Sequence, residues 1–178
     1  MNMYNSNKPA EIMNNWFNSR FSNVKISLMR GKKQNSQETE IFAFISCMEI
    51  DSKTGNQTER SVTLKASMQD MLALKHAIKL VHAGEVNKVN RFAIASSPYA
   101  ANNGSQKSLT VGETAHKETG ERFVTLVFKQ GDQDELAHVL DHVKAFSLVD
   151  CLNIMAENGY KLAIDDGVET IARNLVAR

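Results

Sequence analysis

The hydrophobic positions along this chain follow two different periods, one typical of strands and one typical of helices. Apolar residues occupy every second position of 24–28, which indicates a strand with one buried face. Further strands are predicted at 41–50, 60–66, 91–96, 108–112 and 122–129. The spacing changes to three and four residues in the predicted helices at 11–22, 67–84 and 131–158. Each half of the chain is therefore expected to carry three strands followed by a helix, which makes an α+β domain.

Capping residues predict where the helices begin and end. Ser67 followed by Asp70 has the form of a capping box, so the first helix is expected to begin there. The second helix is expected to open at Gly131 and to stop at Asn158-Gly159, a typical helix end. The residues from Asp165 onward would then form a separate last helix.

Two stretches of the chain repeat each other. Residues 59–64 and 121–126 share the pattern Glu-Arg-x-Val-Thr-Leu, and a Thr-Gly pair precedes each copy. A recurring turn–strand–helix unit predicts two pseudo-repeated halves of antiparallel strands, each followed by a helix, with a C-terminal helical tail. The predicted organisation is an N-terminal arm with a short helix at 1–21, one α+β domain at 22–158, and a helical extension at 159–178.

Composition narrows the functional class without fixing it. The chain has 178 residues, 42% of them apolar, and a formal net charge of +1, which argues against a histone-like polycation. Its two cysteines, Cys47 and Cys151, are too few for a disulfide scaffold, so reduced thiols in a cytoplasmic protein are expected. No run approaches the length of a membrane span, and no membrane association is predicted.

Catalytic and cofactor motifs are not found in the sequence. The glycines are scattered singly rather than gathered in a phosphate-binding loop, and neither cysteine lies beside a histidine. His138 and His142 are four residues apart on a predicted helix, which would place two metal ligands on one face. The alternative is a solvated helix face, because the spacing supplies no third ligand. We predict no enzyme activity, no cofactor and no metal.

Charge is distributed unevenly along the chain. Residues 20–33 carry five basic side chains and no acidic one, whereas residues 132–150 carry five acidic side chains and one basic one. A sheet with a basic side and helices on the other is a plausible surface for a phosphate backbone. The alternative is an ordinary solvated rim.

Aromatic residues add a second candidate feature. Phe42 and Phe44 share one face of the predicted strand at 41–50, where they would either join the core or stack on unpaired bases. Tyr99 has the same ambiguity. The strand faces cannot be assigned from the alternation alone, so both alternatives stay open.

The pattern resembles the Whirly-type family of single-stranded nucleic-acid-binding proteins and its smaller coactivator-like relatives. The resemblance rests on the two strand-rich halves over residues 22–158 and on Arg30-Gly31-Lys32-Lys33, which is similar to the Lys-Gly-Lys signature of that family. It implies binding of unpaired strands along the sheets, assembly through the helices, and a role in replication or recombination. By this motif the resemblance marks Arg30, Lys32 and Lys33 as nucleic-acid contacts.

The leading hypothesis is a non-catalytic, sequence-tolerant protein that binds single-stranded DNA, with RNA as the alternative ligand. The predicted phosphate contacts are Lys25, Arg30, Lys32 and Lys33, and the predicted stacking residues are Phe42, Phe44 and Tyr99. The acidic helix predicted at 133–157 would serve assembly, so a homo-oligomer is expected. The alternative hypothesis is an interaction module that oligomerises through its C-terminal helices without binding nucleic acid.

Overall fold

Two four-stranded antiparallel sheets and two long helices make up the described part of the chain, which confirms the predicted α+β class. The structure is a computed structural model, and it describes residues 9–33, 38–89, 93–95 and 106–176. Four strands precede the helix in each half, one more than the sequence analysis predicted. The division into 1–21, 22–158 and 159–178 stays a prediction about folding units.

The first sheet, sheet A, consists of four strands that each pair with the next in the chain. They are β1 (Ala10–Asn18), β2 (Ser22–Lys32), β3 (Thr39–Ile50) and β4 (Gln57–Ala66), followed directly by helix α1 (Met68–His82). The predicted capping box at the start of α1 is confirmed. The Asp70 amide donates to Ser67 Oγ at 3.1 Å, and the Ser67 amide donates to Asp70 Oδ2 at 2.8 Å.

The second sheet, sheet B, repeats this order after a short 3-10 turn at Val86–Val89. Its strands are β5 (Ala93–Ala95), β6 (Lys107–Ala115), β7 (Arg122–Gln130) and β8 (Leu136–Leu140), followed by helix α2 (His142–Val176). The topology of the two halves is therefore the same.

The core lies between the helices and one face of each sheet. Because side chains alternate across a strand, residues at every second position share the core face. In sheet A these buried residues are Val24, Ile26, Leu28, Ala43, Ile45, Cys47, Val62 and Leu64. The other positions of sheet A form the opposite face, which we call the outer face.

A buried polar contact joins the two sheets. Ser22 at the start of β2 lies 3.0 Å from both the Ala137 carbonyl oxygen and Nδ1 of His138 in β8. His138 is fully buried in the core face of sheet B. The side chain of Arg60 in β4 also donates a hydrogen bond to the backbone carbonyl of Asp134. This bond connects the turn before β8 to sheet A.

The helix predicted at 11–22 is wrong, because residues 10–18 form strand β1. Ile12, Met13, Trp16 and Phe17 are spaced as on one helix face, but a strand with a bulge produces the same spacing. The pairing of β1 with β2 shifts register between Glu11 and Met13, so Ile12 is the extra residue of a bulge. Phe17 then packs into the core while Trp16 lies on the outer face.

The second helix begins later than predicted. Residues 136–140 form β8, in which Leu136, His138 and Leu140 are buried and the residues between them are exposed. This alternation of period two is short enough to be read as part of the helix that follows. The pairing of β8 with β7 decides in favour of a strand.

Helix α2 runs without interruption from His142 to Val176, so the predicted stop at Asn158-Gly159 and the separate helix from Asp165 are wrong. Gly159 is buried where α2 crosses α1 and sheet A. A Cβ atom there would lie 3.1 Å from Cγ of Met68 and 3.4 Å from Cδ1 of Leu28. The glycine allows close packing of α2 rather than ending it.

The sequence repeat corresponds to two hairpin turns of the same geometry. The turns at 51–56 and 116–121 each close with two backbone hydrogen bonds of 2.8–2.9 Å. Gly55 and Gly120 have φ values of 72° and 70°, a left-handed conformation that favours glycine. The copies occupy different places, because β4 is the last strand of its half and β7 is the third strand of its half.

Candidate nucleic-acid interface

The outer face of sheet A brings two lysines and three aromatic side chains together from four strands. Trp16 lies opposite Lys25 in the register of β1 and β2, and Phe44 lies opposite Lys65 in that of β3 and β4. Nζ of Lys25 lies 5.6 Å from the Trp16 ring centroid, and Nζ of Lys65 lies 4.2 Å from the Phe42 ring centroid. Both distances are in the cation–π range. We call these five residues the aromatic–lysine cluster.

The three rings differ in what they can offer to a base. Trp16 is 46% exposed and Phe44 is partly exposed, whereas Phe42 retains only 4% of its exposure. Phe42 and Phe44 meet edge to face, with ring centroids 5.2 Å apart. Trp16 and Phe44 thus present ring surface, whereas the Phe42 ring is buried in contact with Phe44.

The absence of a side chain at Gly31 leaves space for the Phe42 ring on the outer face of sheet A. A Cβ atom at Gly31 would lie 3.1 Å from Cε1 of Phe42 and 3.4 Å from two atoms of Pro9. A side chain there would crowd the Phe42 ring, while its contact with Pro9 would be an ordinary one. The glycine of the Arg-Gly-Lys segment therefore makes room for an aromatic residue on the neighbouring strand.

Each lysine of the cluster is paired with a carboxylate on an adjacent strand. Nζ of Lys25 lies 2.7 Å from Glu11 on β1, and Nζ of Lys65 lies 2.6 Å from Glu40 on β3. Hydrogen bonding from Lys25 lowers the pKa of Glu11 below its usual value. Glu11 and Glu40 therefore balance the charge of the two lysines in the cluster.

Two of the other predicted basic residues, Arg30 and Lys32, do not lie on this face. Arg30 and Lys32 occupy the alternate positions of β2, on the side where the helices pack, and Arg30 forms an ion pair with Asp166 of α2. Lys33 follows the strand and pairs with Glu38 at 2.9 Å, which raises the lysine pKa. Of the predicted site residues, the structure thus brings together Lys25, Phe42 and Phe44. It places Arg30 and Lys32 beyond them on the helix side.

Trp16 and Lys65 were missed by the sequence analysis, and Tyr99 lies outside the described residues. Trp16 was missed because β1 was predicted to be a helix. Lys65 was missed because a single lysine in a strand carries no charge signal of its own. Its position opposite Phe44 would have followed from pairing the strands at 41–50 and 60–66 across the turn that joins them.

Comparison with solved structures shows which known fold the chain adopts. No family model matches the chain, and no curated protein matches it. The crystal structure of WHY3 from Arabidopsis thaliana superposes with a TM-score of 0.58 at 11% identity, covering 93% of this chain and 99% of that one. The chain has a Whirly-like fold. The plant transcriptional regulator PBF-2 superposes with a TM-score of 0.56 at 10% identity, covering 89% and 97% of the two chains.

The predicted resemblance to Whirly proteins is confirmed at the level of the fold. The structure has four strands in the sheet of each half. Sequence identities of 10–11% support a shared fold and nothing finer. The argument for the aromatic–lysine cluster therefore rests on the residues of this chain alone.

Within the Whirly-like fold, the histidine pair considered as a metal site is separated. His138 is buried in β8 and His142 is exposed at the start of α2, where its Nδ1 lies 2.8 Å from Nε2 of His82. Among the residues that the structure describes, no three metal-binding side chains cluster. Burial raises the pKa of the Cys47 thiol to about 12, which keeps it protonated and unreactive at neutral pH.

Helix α2 of the Whirly-like fold carries a second surface feature, an exposed apolar stripe. At 3.6 residues per turn its members fall within about 80° of one another around the helix axis. They are Val143, Phe146, Ile154, Ile164 and Val168, all of them exposed. No helix among the described residues is long and apolar enough to cross a membrane.

Proposed function

We propose that this chain is a non-catalytic protein that binds single-stranded DNA without strong sequence preference, through the outer face of sheet A. The observation that carries the proposal is the aromatic–lysine cluster, in which ring surface and cations alternate across four neighbouring strands. Bases stack on aromatic rings regardless of their identity, and lysines contact the phosphates between them. A Whirly-like fold supports the proposal, because it raises the expectation of binding along a sheet.

The other predicted contacts lie within the cluster or around the end of β2, apart from Tyr99. Lys25 would bind phosphate within the cluster, and Arg30, Lys32 and Lys33 would meet the strand where it leaves the end of β2. Phe44 and Trp16 would stack, with Tyr99 as a further stacking candidate. Phe42, which is only 4% exposed, would contribute through its contact with Phe44 rather than by stacking on a base. The same chemistry would accept single-stranded RNA. Cytoplasmic location and a role in replication or recombination are part of the proposal.

Fluorescence anisotropy of a labelled oligothymidine of about thirty bases tests the proposal. Protein is titrated at low and moderate salt, beside a duplex and an oligouridine of the same length. We expect salt-sensitive binding that prefers the single strand, because an open strand can stack on the rings and a duplex cannot. Absence of binding at low salt would reject the proposal.

A second function, homo-oligomeric assembly, is favoured by the apolar stripe on α2. Its members line one side of the helix over about seven turns, and Phe146, the largest of them, is 58% exposed in a single copy. We propose that this stripe packs against another copy of the chain. Assembly would also multiply the number of sheets available to one strand.

Size-exclusion chromatography with light scattering tests the assembly. The wild-type chain is expected to elute as an oligomer, and Phe146→Glu to elute as a smaller species. A matched variant, Ala163→Glu, adds the same charge to the same helix at an exposed position about 100° away from the stripe, and so controls for a general effect of charge. A monomeric wild type would reject the assembly. If the wild type is oligomeric but binds no single strand, the assembly module becomes the favoured function.

A further inference from the structure

Both lysines of the aromatic–lysine cluster are already neutralised within the protein. Lys25 pairs with Glu11 and Lys65 pairs with Glu40, at 2.7 Å and 2.6 Å. In each pair the carboxylate and the lysine come from adjacent strands of sheet A and lie on its outer face, beside an aromatic ring. The two modules therefore have the same composition: a carboxylate, a lysine and a ring.

Glu11 is held in this position by more than its lysine. Its carboxylate also accepts a hydrogen bond from Nδ2 of Asn14 and interacts with the Ser27 hydroxyl, while Lys25 remains its strongest partner. The three donors favour the position of this carboxylate beside Lys25 when no strand is bound. The carboxylate thus occupies a site next to the lysine where a phosphate oxygen would bind.

Exchange of the carboxylate for a phosphate is physically accessible. All four side chains are partly exposed, and exposed ion pairs contribute little net stability. A phosphate carries the same charge as the carboxylate and accepts the same kind of charge-assisted hydrogen bond from an ammonium group. A strand that also gains stacking on Trp16 and Phe44 can therefore displace the carboxylate.

We propose that Glu11 and Glu40 are internal competitors for the phosphate groups of a bound strand. Each lysine exchanges its carboxylate for a phosphate on binding, so the two glutamates set the affinity and the salt dependence of the interface. This inference rests on the proposed function of the outer face. It assigns a role in nucleic-acid binding to two acidic residues on a surface otherwise recognised by its basic and aromatic ones.

The exchange has a measurable signature in salt dependence. A lysine that is already paired adds no net positive charge, so its contact with a phosphate releases little of the counterion atmosphere of the strand. Removing one carboxylate restores one unit of positive charge to the face. For single strands, each added charge steepens the dependence of log K on log salt by about 0.7.

The experiment compares wild type, Glu11→Gln, Glu40→Gln and the double variant in the anisotropy titration with oligothymidine over several salt concentrations. Glutamine keeps the shape of the side chain and removes its charge. The matched control is Glu113→Gln. This variant also removes a carboxylate from an ion pair, because Glu113 pairs with Arg122, but the pair lies on the helix side of sheet B. We expect each single variant to bind about threefold more tightly, and the double variant about tenfold, with a slope steeper by about 1.4.

The outcomes separate the inference from the function on which it rests. If the wild type binds and the double variant has the same affinity and slope, the competitor role is refuted and the binding function stands. If Glu113→Gln strengthens binding as much as the cluster variants do, the effect is one of net charge and the inference is overturned. If neither wild type nor double variant binds the strand, the proposed function itself fails.

Discussion

The buried imidazole of His138 makes the stability of the fold depend on pH in a defined window. Its side chain has 0% exposure, and Nδ1 lies 3.0 Å from Oγ of Ser22. Because the Ser22 hydroxyl donates to the Ala137 carbonyl oxygen, it can only accept from the histidine, which assigns the Nδ1–H tautomer. Nε2 then lies in the core with no hydrogen-bond partner among the described residues, and protonating it would bury an uncompensated charge.

The magnitude follows from the difference in proton affinity between the folded and unfolded chains. Burial lowers the pKa of His138 from 6.5 to about 4. Between these values the unfolded chain binds the proton more strongly, so stability falls as the pH falls. The contribution is complete above pH 6.5 and is lost progressively toward pH 4. Between pH 7.5 and pH 5.0 the loss is about 2 kcal/mol.

Urea unfolding at pH 7.5 and pH 5.0 measures this loss. The variant His138→Leu removes the titrating group while Ser22 keeps its bond to the Ala137 carbonyl, so its stability should change about 2 kcal/mol less than that of wild type over the same interval. His76→Leu, at an exposed position of α1, should retain the wild-type dependence. Equal pH dependence in the wild type and His138→Leu would refute the reasoning. An NMR titration that puts the His138 pKa near 6.5 in the folded protein would do the same.

Three further predictions concern the interface and the helix packing. Phe44→Ala should weaken oligothymidine binding by about 1–3 kcal/mol with an unchanged salt slope, since the ring carries no charge; anisotropy titrations at several salt concentrations would show a changed slope if stacking is not its role. Charge reversal of Lys32 and Lys33 should weaken binding and flatten the slope, and unchanged affinity in the same titration would remove both residues from the site. Gly159→Val should lower the free energy of unfolding by about 1–3 kcal/mol, because its side chain would collide with Met68. A urea midpoint equal to that of wild type would contradict this packing.

Local chemistry was enough to predict the elements whose ends are defined by their own residues. The capping box at Ser67 and the turn glycines Gly55 and Gly120 act over a few residues, so the sequence carries their signal directly. The wrong predictions concern elements whose structure depends on residues far away in the sequence. β1 is a strand because β2 pairs with it, and Gly159 continues a helix because Met68 and Leu28 pack against it. Neither partner can be identified from the residues around the element itself.

The candidate site shows the same division between local and long-range information. The basic segment at 20–33 marked β2 correctly as part of a charged region, but alternation along that strand sends Lys25 to the outer face and Arg30 and Lys32 to the helix side. Lys65 reaches the same face as Lys25 from a strand some forty residues later. A run of basic residues in a strand is therefore divided between the two faces of the sheet. The surface that binds is determined by the register of neighbouring strands, and in this chain that register also brings a carboxylate to each lysine.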